Sequence, residues 1–261
     1  DSAPFEQAGF AIDISRGTVQ EDALELQQLT FVLTLVESSP LDVGLALFGG
    51  VYPEISPDGA LSFAPQQLLF GTAKFEVVLK DDGGVERGGR DVSEVATMTI
   101  DVLFVNHKPK FDMVDFVPVL EDSGAFLQSG FAVEISRGTP QEDALLEQQL
   151  SFTLTMVESS PLNIGLALFG GVVPEISPNG TLTFDLAPEV FGNVTFTVVL
   201  QDGGGVERNG EDTSEPATFT IVVLQVNQEP EFTLTEMDGP ILEDSAPFEQ
   251  AGFAIDISRG T

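Results

Sequence analysis

Acidic side chains clustered at glycine-rich turns are the residues of this sequence best suited to chemistry, and the chemistry they suit is the binding of hard cations. Asp81, Asp82 and Asp91 flank the turn Asp81-Asp-Gly-Gly84, and Asp202 and Asp212 flank Asp202-Gly-Gly-Gly205. The pairs Glu121-Asp122 and Glu243-Asp244 each follow a short apolar stretch. Calcium takes about six to eight oxygens from carboxylates and carbonyls, which loops of this composition supply. The spacing is not that of an EF-hand, and solvated turns of a very acidic chain have the same composition, so both readings stay open.

Other chemistry has less material. Asp202-Gly-Gly-Gly-Val-Glu-Arg208 has the glycines of a phosphate cradle, but acidic residues follow it instead of a helix start with a lysine, so a hairpin turn is expected. The single histidine, His107, is replaced by Gln228 in the equivalent linker and is expected to be exposed. The chain has no cysteine, which removes disulfides, thiolate metal sites and thiol nucleophiles together. Serines and threonines have no base to activate them, and no carboxylate pair stands out for glycoside chemistry. Catalysis is therefore not expected. Asn179-Gly-Thr181 and Asn193-Val-Thr195 are N-glycosylation sequons; the equivalent places in the first half hold Asp58 and Thr72.

Formal net charge is −32, from 42 acidic against 10 basic residues. Such a surface repels nucleic acid and anionic lipid, so neither is an expected partner. With 42% hydrophobic residues, including 21 phenylalanines, the chain is nonetheless not an acidic disordered tail. No apolar run reaches the length of a membrane-spanning helix, so no membrane insertion is expected in this segment.

The elements that would position these residues are strands. Leu29, Phe31, Leu33 and Leu35 alternate with Thr30, Val32, Thr34 and Val36, and Leu150, Phe152, Leu154 and Met156 repeat the pattern. Further strands are expected at 59–63, 74–79 and 96–102, with equivalents at 182–184, 195–200 and 217–223. Gly/Pro turns such as Ser56-Pro-Asp-Gly59 and Ser177-Pro-Asn-Gly180 separate them. The pattern predicts an all-β fold of antiparallel β-sandwiches. Thr18-Val-Gln-Glu21 and Thr139-Pro-Gln-Glu142 fit capping boxes, though their surroundings are read as polar loops. The runs 41–51 (LDVGLALFGGV) and 162–173 are almost continuously apolar. They fit either a central strand or, together with outward-facing Val32, Val36 and Val78, a face that packs on another subunit.

These elements recur. Residues 1–18, DSAPFEQAGFAIDISRGT, return unchanged as residues 244–261, and an imperfect copy begins at Asp122. The repeat unit is about 121 residues long, the size of one sandwich domain. The linkers Phe104-Val-Asn-His-Lys-Pro109 and Gln225-Val-Asn-Gln-Glu-Pro230 divide the chain. The expected organisation is a domain lacking its first strand (1–106), a complete domain (107–227) and the start of a third (228–261). That layout reads as a window on a longer polymer, with the two end copies superposable.

The order V-N-x-x-P, L-E-D-S, V-V-L-x-D-x-G-G and D-x-S-E-x-A-T resembles the tandem cadherin-like or immunoglobulin-like repeats of large secreted and cell-surface proteins. The resemblance spans the whole chain. It implies an extracellular role in adhesion or fibre building, with Ca2+ at the domain junctions. His107 and Gln228 stand where that pattern has an acidic residue after V-N. The reading that follows is a structural protein whose partners are copies of itself and glycans, assembled as a helical filament; the alternative is a calcium-stiffened, single-file adhesin stalk.

Overall fold

The computed structural model describes residues 3–25, 27–41 and 43–259. They divide into two compact units. One holds the residues up to His107 together with Gly138–Glu147 and Gly204–Gly210; the other holds Lys108–Arg137, Gln148–Gly203 and the residues from Glu211 on.

In the first unit, alternating apolar side chains build an antiparallel sheet ordered Leu29–Ser39, Gly71–Asp81, Ala96–Val102. Phe31 faces Leu79 and Leu35 faces Phe75 across it, and a register shift follows Leu35. A second sheet is ordered Phe5–Gln7, Leu61–Phe63, Glu54–Ile55. Its Leu61 and Ile55 join Phe75, Val77 and Ile100 of the first sheet in one core. Period-2 alternation thus becomes one dry face and one wet face on each sheet.

The second unit repeats this strand order 121 positions later. Ser151–Ser160, Gly192–Gln201 and Ala217–Leu224 form one sheet, and Ala125–Gln128, Leu182–Asp185 and Glu175–Ile176 form the other. The register shift recurs after Met156. Phe131, Phe196, Leu182, Val194 and Ile221 are completely buried between the sheets. Two further pieces complete this unit. Val119–Leu120 adds in parallel to Ala217–Leu224, and Lys110–Met113 pairs with Ala132–Ser136.

Three sequence expectations are corrected. Polar loops were expected after Thr18 and Thr139, but short helices, Val19–Leu24 and Pro140–Leu145, stand there. Thr18 and Glu21 form a complete capping box, which satisfies orphan backbone donors without any tertiary partner. Asp22 then receives the Arg16 N–H and the Ser15 hydroxyl, which hold its carboxyl below the usual carboxylate range.

The apolar runs expected to be strands instead form 3₁₀ turns, Gly44–Phe48 and Gly165–Phe169. Glycines in the left-handed conformation, Gly49 and Gly170, end the turns. Leu47, Phe48, Leu168 and Phe169 are driven into the cores, while Leu41, Val51, Leu162 and Val172 at the ends of the runs stay exposed. Val32 and Val36 are exposed as expected, whereas Val78 is half-buried.

The third correction concerns the repeated segment, whose end residues 1, 2, 260 and 261 lie outside the described residues. Its two copies share left-handed backbone at Gly9 and Gly252 and at Asp13 and Asp256. They nonetheless make different strands. In the first copy Phe5–Gln7 pairs with Leu61–Phe63, and residues 11–15 are not a strand. In the second copy residues 248–250 are unpaired with any strand, while Ala254–Ser258 pairs with Glu231–Leu234. Each copy pairs with whatever strand its own surroundings offer.

Leu168→Ala should cost about 2–5 kcal/mol in denaturant unfolding, because it opens a cavity under a fully buried turn. Leu162→Ala, at a position 91% exposed in the same run, should stay within about 0.5 kcal/mol of the parent.

Candidate functional site

The linkers and acidic loops are built from backbone first. Each hairpin after the long central strand is closed by a backbone bond: the Asp81 N–H donates to the Asp91 carbonyl at 3.1 Å, and the Asp202 N–H donates to the Asp212 carbonyl at 3.0 Å. Asp81 Oδ1 accepts the Gly83 N–H and Asp82 Oδ1 accepts the Gln28 N–H, both at 2.8 Å. Asp212 Oδ1 accepts the Thr213 hydroxyl at 2.9 Å, and Asp202 is buried. These carboxylates brace turns.

Glu121 is different. It is 2% exposed, an unusual environment for a carboxylate. Its N–H donates to the Leu224 carbonyl at 2.9 Å, which continues the parallel pairing of Val119–Leu120. Its Oε1 accepts the Val226 N–H at 2.6 Å, tying the side chain to the second linker. Its Oε2 is buried and has no hydrogen-bond partner. The neighbouring Asp122 is exposed, with left-handed backbone; it accepts the Glu189 N–H at 2.8 Å and the Gln228 side-chain amide at 3.3 Å. Glu243 and Asp244 are exposed. Among the described residues no three acidic or histidine side chains converge closely enough to hold a metal ion.

Sequence reasoning missed Glu142. Read as part of a polar loop, it is 3% exposed, and its Oε1 accepts the His107 N–H at 3.1 Å while Oε2 lies 3.5 Å from His107 Nδ1. His107 was expected to be exposed; it is half-buried instead, because Glu142 draws the linker backbone inward. The signal was the capping-box spacing Thr139 to Glu142. Asn106, the V-N asparagine beside it, is also buried. In both linkers, then, a buried glutamate receives a backbone N–H. Next to them Lys108 bridges Glu215 at 2.6 Å and Glu211 at 3.6 Å. Its hydrogen bond to Glu215 raises the lysine pKa and lowers that of Glu215.

The sequons lie on the surface. Asn179 is exposed at the tip of the Ser177–Gly180 turn and hydrogen-bonded to Ser177, as Asp58 is to Ser56. Asn193 is exposed near the start of Gly192–Gln201 and faces Val222. The turn requires its glycine: a Cβ on Gly180 would stand 2.0 Å from the Ala132 carbonyl oxygen.

No protein-family model matches the sequence, and no curated protein matches it. Among solved structures the chain is similar to human protocadherin-24 EC1-2 in its form II, with 15% identity over 86% of this chain and 100% of that chain, at a TM-score of 0.45. It is also similar to chicken VE-cadherin EC1-2, with 11% identity over 87% of this chain and 93% of that one, at a TM-score of 0.35. The fold itself is all-β, in sandwiches of antiparallel sheets. Among the described residues no helix is long and apolar enough to cross a membrane.

Glu121→Ala should destabilise the protein by about 1–3 kcal/mol in denaturant unfolding with EDTA present, because the Val226 N–H loses its buried acceptor. An unchanged midpoint would mean that Glu121 does not tie the linker.

Proposed function

We propose that this chain is a segment of an extracellular structural protein whose tandem sandwiches work mechanically, assembling with copies of themselves into a filament. The observation that carries this reading is the recurrence of one strand order at a fixed sequence period. The acidic surface keeps such an array soluble, and a cysteine-free core leaves burial and strand pairing to hold each unit. The sole histidine lies against a buried glutamate in a linker, an arrangement that braces backbone. Exposed Asn179 and Asn193 are the glycan acceptors in this reading. Asn179 occupies a turn whose counterpart holds Asp58, so sugars would decorate alternate repeats.

One observation favours the second reading, a calcium-stiffened single-file stalk. Glu121 keeps a buried oxygen without a hydrogen-bond partner beside a linker, with Asp122 next to it. A carboxylate oxygen removed from water without a donor is costly unless a cation meets it. Asp81, Asp82, Asp91, Asp202, Asp212, Glu243 and Asp244 are the other acids that this reading enlists at the junctions.

Negative-stain microscopy of native material separates the two: thick fibres with an axial repeat for the filament, thin single strands for the stalk. Millimolar Ca2+ should raise the melting temperature of the stalk form by several degrees, and Glu121→Gln should abolish the rise; no shift in the parent leaves the acidic loops as solvated turns. Intact-mass measurement should find a glycan on Asn179 that disappears in Asn179→Asp, and a bare Asn179 in native material overturns the decoration.

A further inference from the structure

The outer faces of the two long sheets share a backbone pattern but carry different side chains. In the second unit Val194, Phe196, Val198 and Ile221 are fully buried, so the residues that alternate with them form the outer face. Thr155, Thr197 and Thr218 stand opposite one another in one row of that face. Thr195 and Thr220 make the next row, their hydroxyl oxygens 2.8 Å apart, and Asn193 stands opposite Val222 in the third. The strands Gly192–Gln201 and Ala217–Leu224 hold no charged residue.

In the first unit the same face is charged. Lys74 stands at the place of Thr195, Glu76 at that of Thr197, Lys80 at that of Gln201 and Asp101 at that of Val222. Two of these side chains are matched: Lys74 Nζ lies 3.9 Å from Glu37, and the Thr72 hydroxyl donates to Asp101 at 2.8 Å. Thr72 and Lys74 are the counterparts of Asn193 and Thr195. The exchange that removes both pairs therefore also writes the sequon Asn193-Val-Thr195. Glu158, the counterpart of Glu37, faces Thr195 instead of a lysine. Loss of charge and gain of a glycan acceptor thus fall on one face of one unit, whereas Asn179 lies at a turn tip whose hydrogen bond to serine is the same in both units.

We propose that the glycan on Asn193 lies flat over this face, against Val222 and the threonine rows, and shields it in place of the charges that the first unit uses. The inference deepens the reading of Asn193 as a glycan acceptor and rests on it. Threonine and valine methyls offer dispersion contacts to sugar C–H groups and to an N-acetyl methyl, and threonine hydroxyls both donate to and accept from sugar hydroxyls. Thr197 lies four residues along the strand from Asn193, about 13 Å, which the core of an N-linked glycan spans. A sugar rooted within the face also keeps a neighbouring protein surface from closing on it. The two sequons then have different roles: the sugar on Asn179 projects into solvent, and that on Asn193 covers a sheet.

Peptide mapping of native material should find sugar on Asn193 as well as on Asn179. On the folded protein, a peptide-N-glycosidase should release the Asn193 glycan at least tenfold more slowly than that of Asn179, and unfolding should remove the difference. In residues 1–261 secreted from a glycosylating host, nuclear Overhauser contacts should join an N-acetyl methyl to the Val222 methyls. Val222→Asp, which installs the first unit's residue, should leave occupancy and circular dichroism unchanged and bring the two release rates within threefold. Release from Asn193 as fast as from Asn179, or slow release that ignores Val222→Asp in a folded variant, overturns the covering, as does a glycan without contact to Val222. A bare Asn193 beside a glycosylated Asn179 overturns it too and leaves the face to a protein partner, whereas two bare asparagines overturn the glycan reading itself.

Discussion

The short parallel pairing of Val119–Leu120 with Val223–Leu224 closes the second sandwich and ties its last strand to the linker that follows. It covers the free edge of Ala217–Leu224 and leads directly into Glu121, whose backbone extends the ladder and whose side chain holds the next linker. The preceding residues 110–116 lay Phe111, Met113 and Phe116 over the core. Two short pieces of backbone therefore do three things at once: finish a sheet, seal a core and fix a linker. In the first unit the same pair of sheets closes over Phe75, Leu61 and Ile100.

A sheet edge is a row of unpaired donors and acceptors, and an uncovered apolar groove costs free energy in proportion to its area. Within each unit the two sheets cover one another's apolar faces over a shared core. The net charge of −32 discourages indiscriminate association between such edges.

Buried glutamates are the second recurring device. Glu142 and Glu121 each receive a backbone N–H from a V-N-x-x-P linker, one from a short helix and the other from a strand end. A carboxylate accepting a backbone N–H forms a stronger bond than a neutral acceptor, which stiffens a linker that would otherwise be free to turn. Glu121 keeps its second oxygen buried without a hydrogen-bond partner.

Local patterning was enough to read the all-β class, the long strands and the repeat, because period-2 alternation reports which faces are buried wherever a strand forms. The surface position of Asn179 was legible too, since Pro-Asn-Gly builds its turn from adjacent residues. The short helices after Thr18 and Thr139 were signalled by capping boxes, although their polar surroundings read as loops. Tertiary structure alone decided the rest. The apolar runs at 41–51 and 162–173 became 3₁₀ plugs because sandwich ends need filling, and an apolar run does not record the direction from which it is covered. Glu121 and Glu142 became buried through partners about 105 and 35 positions away, which no spacing rule reaches. AIDIS shows the same dependence: residues 254–258 form a strand paired with Glu231–Leu234, and among the described residues the same five letters at 11–15 have no such partner, because strand formation depends on a second segment as well as on local sequence.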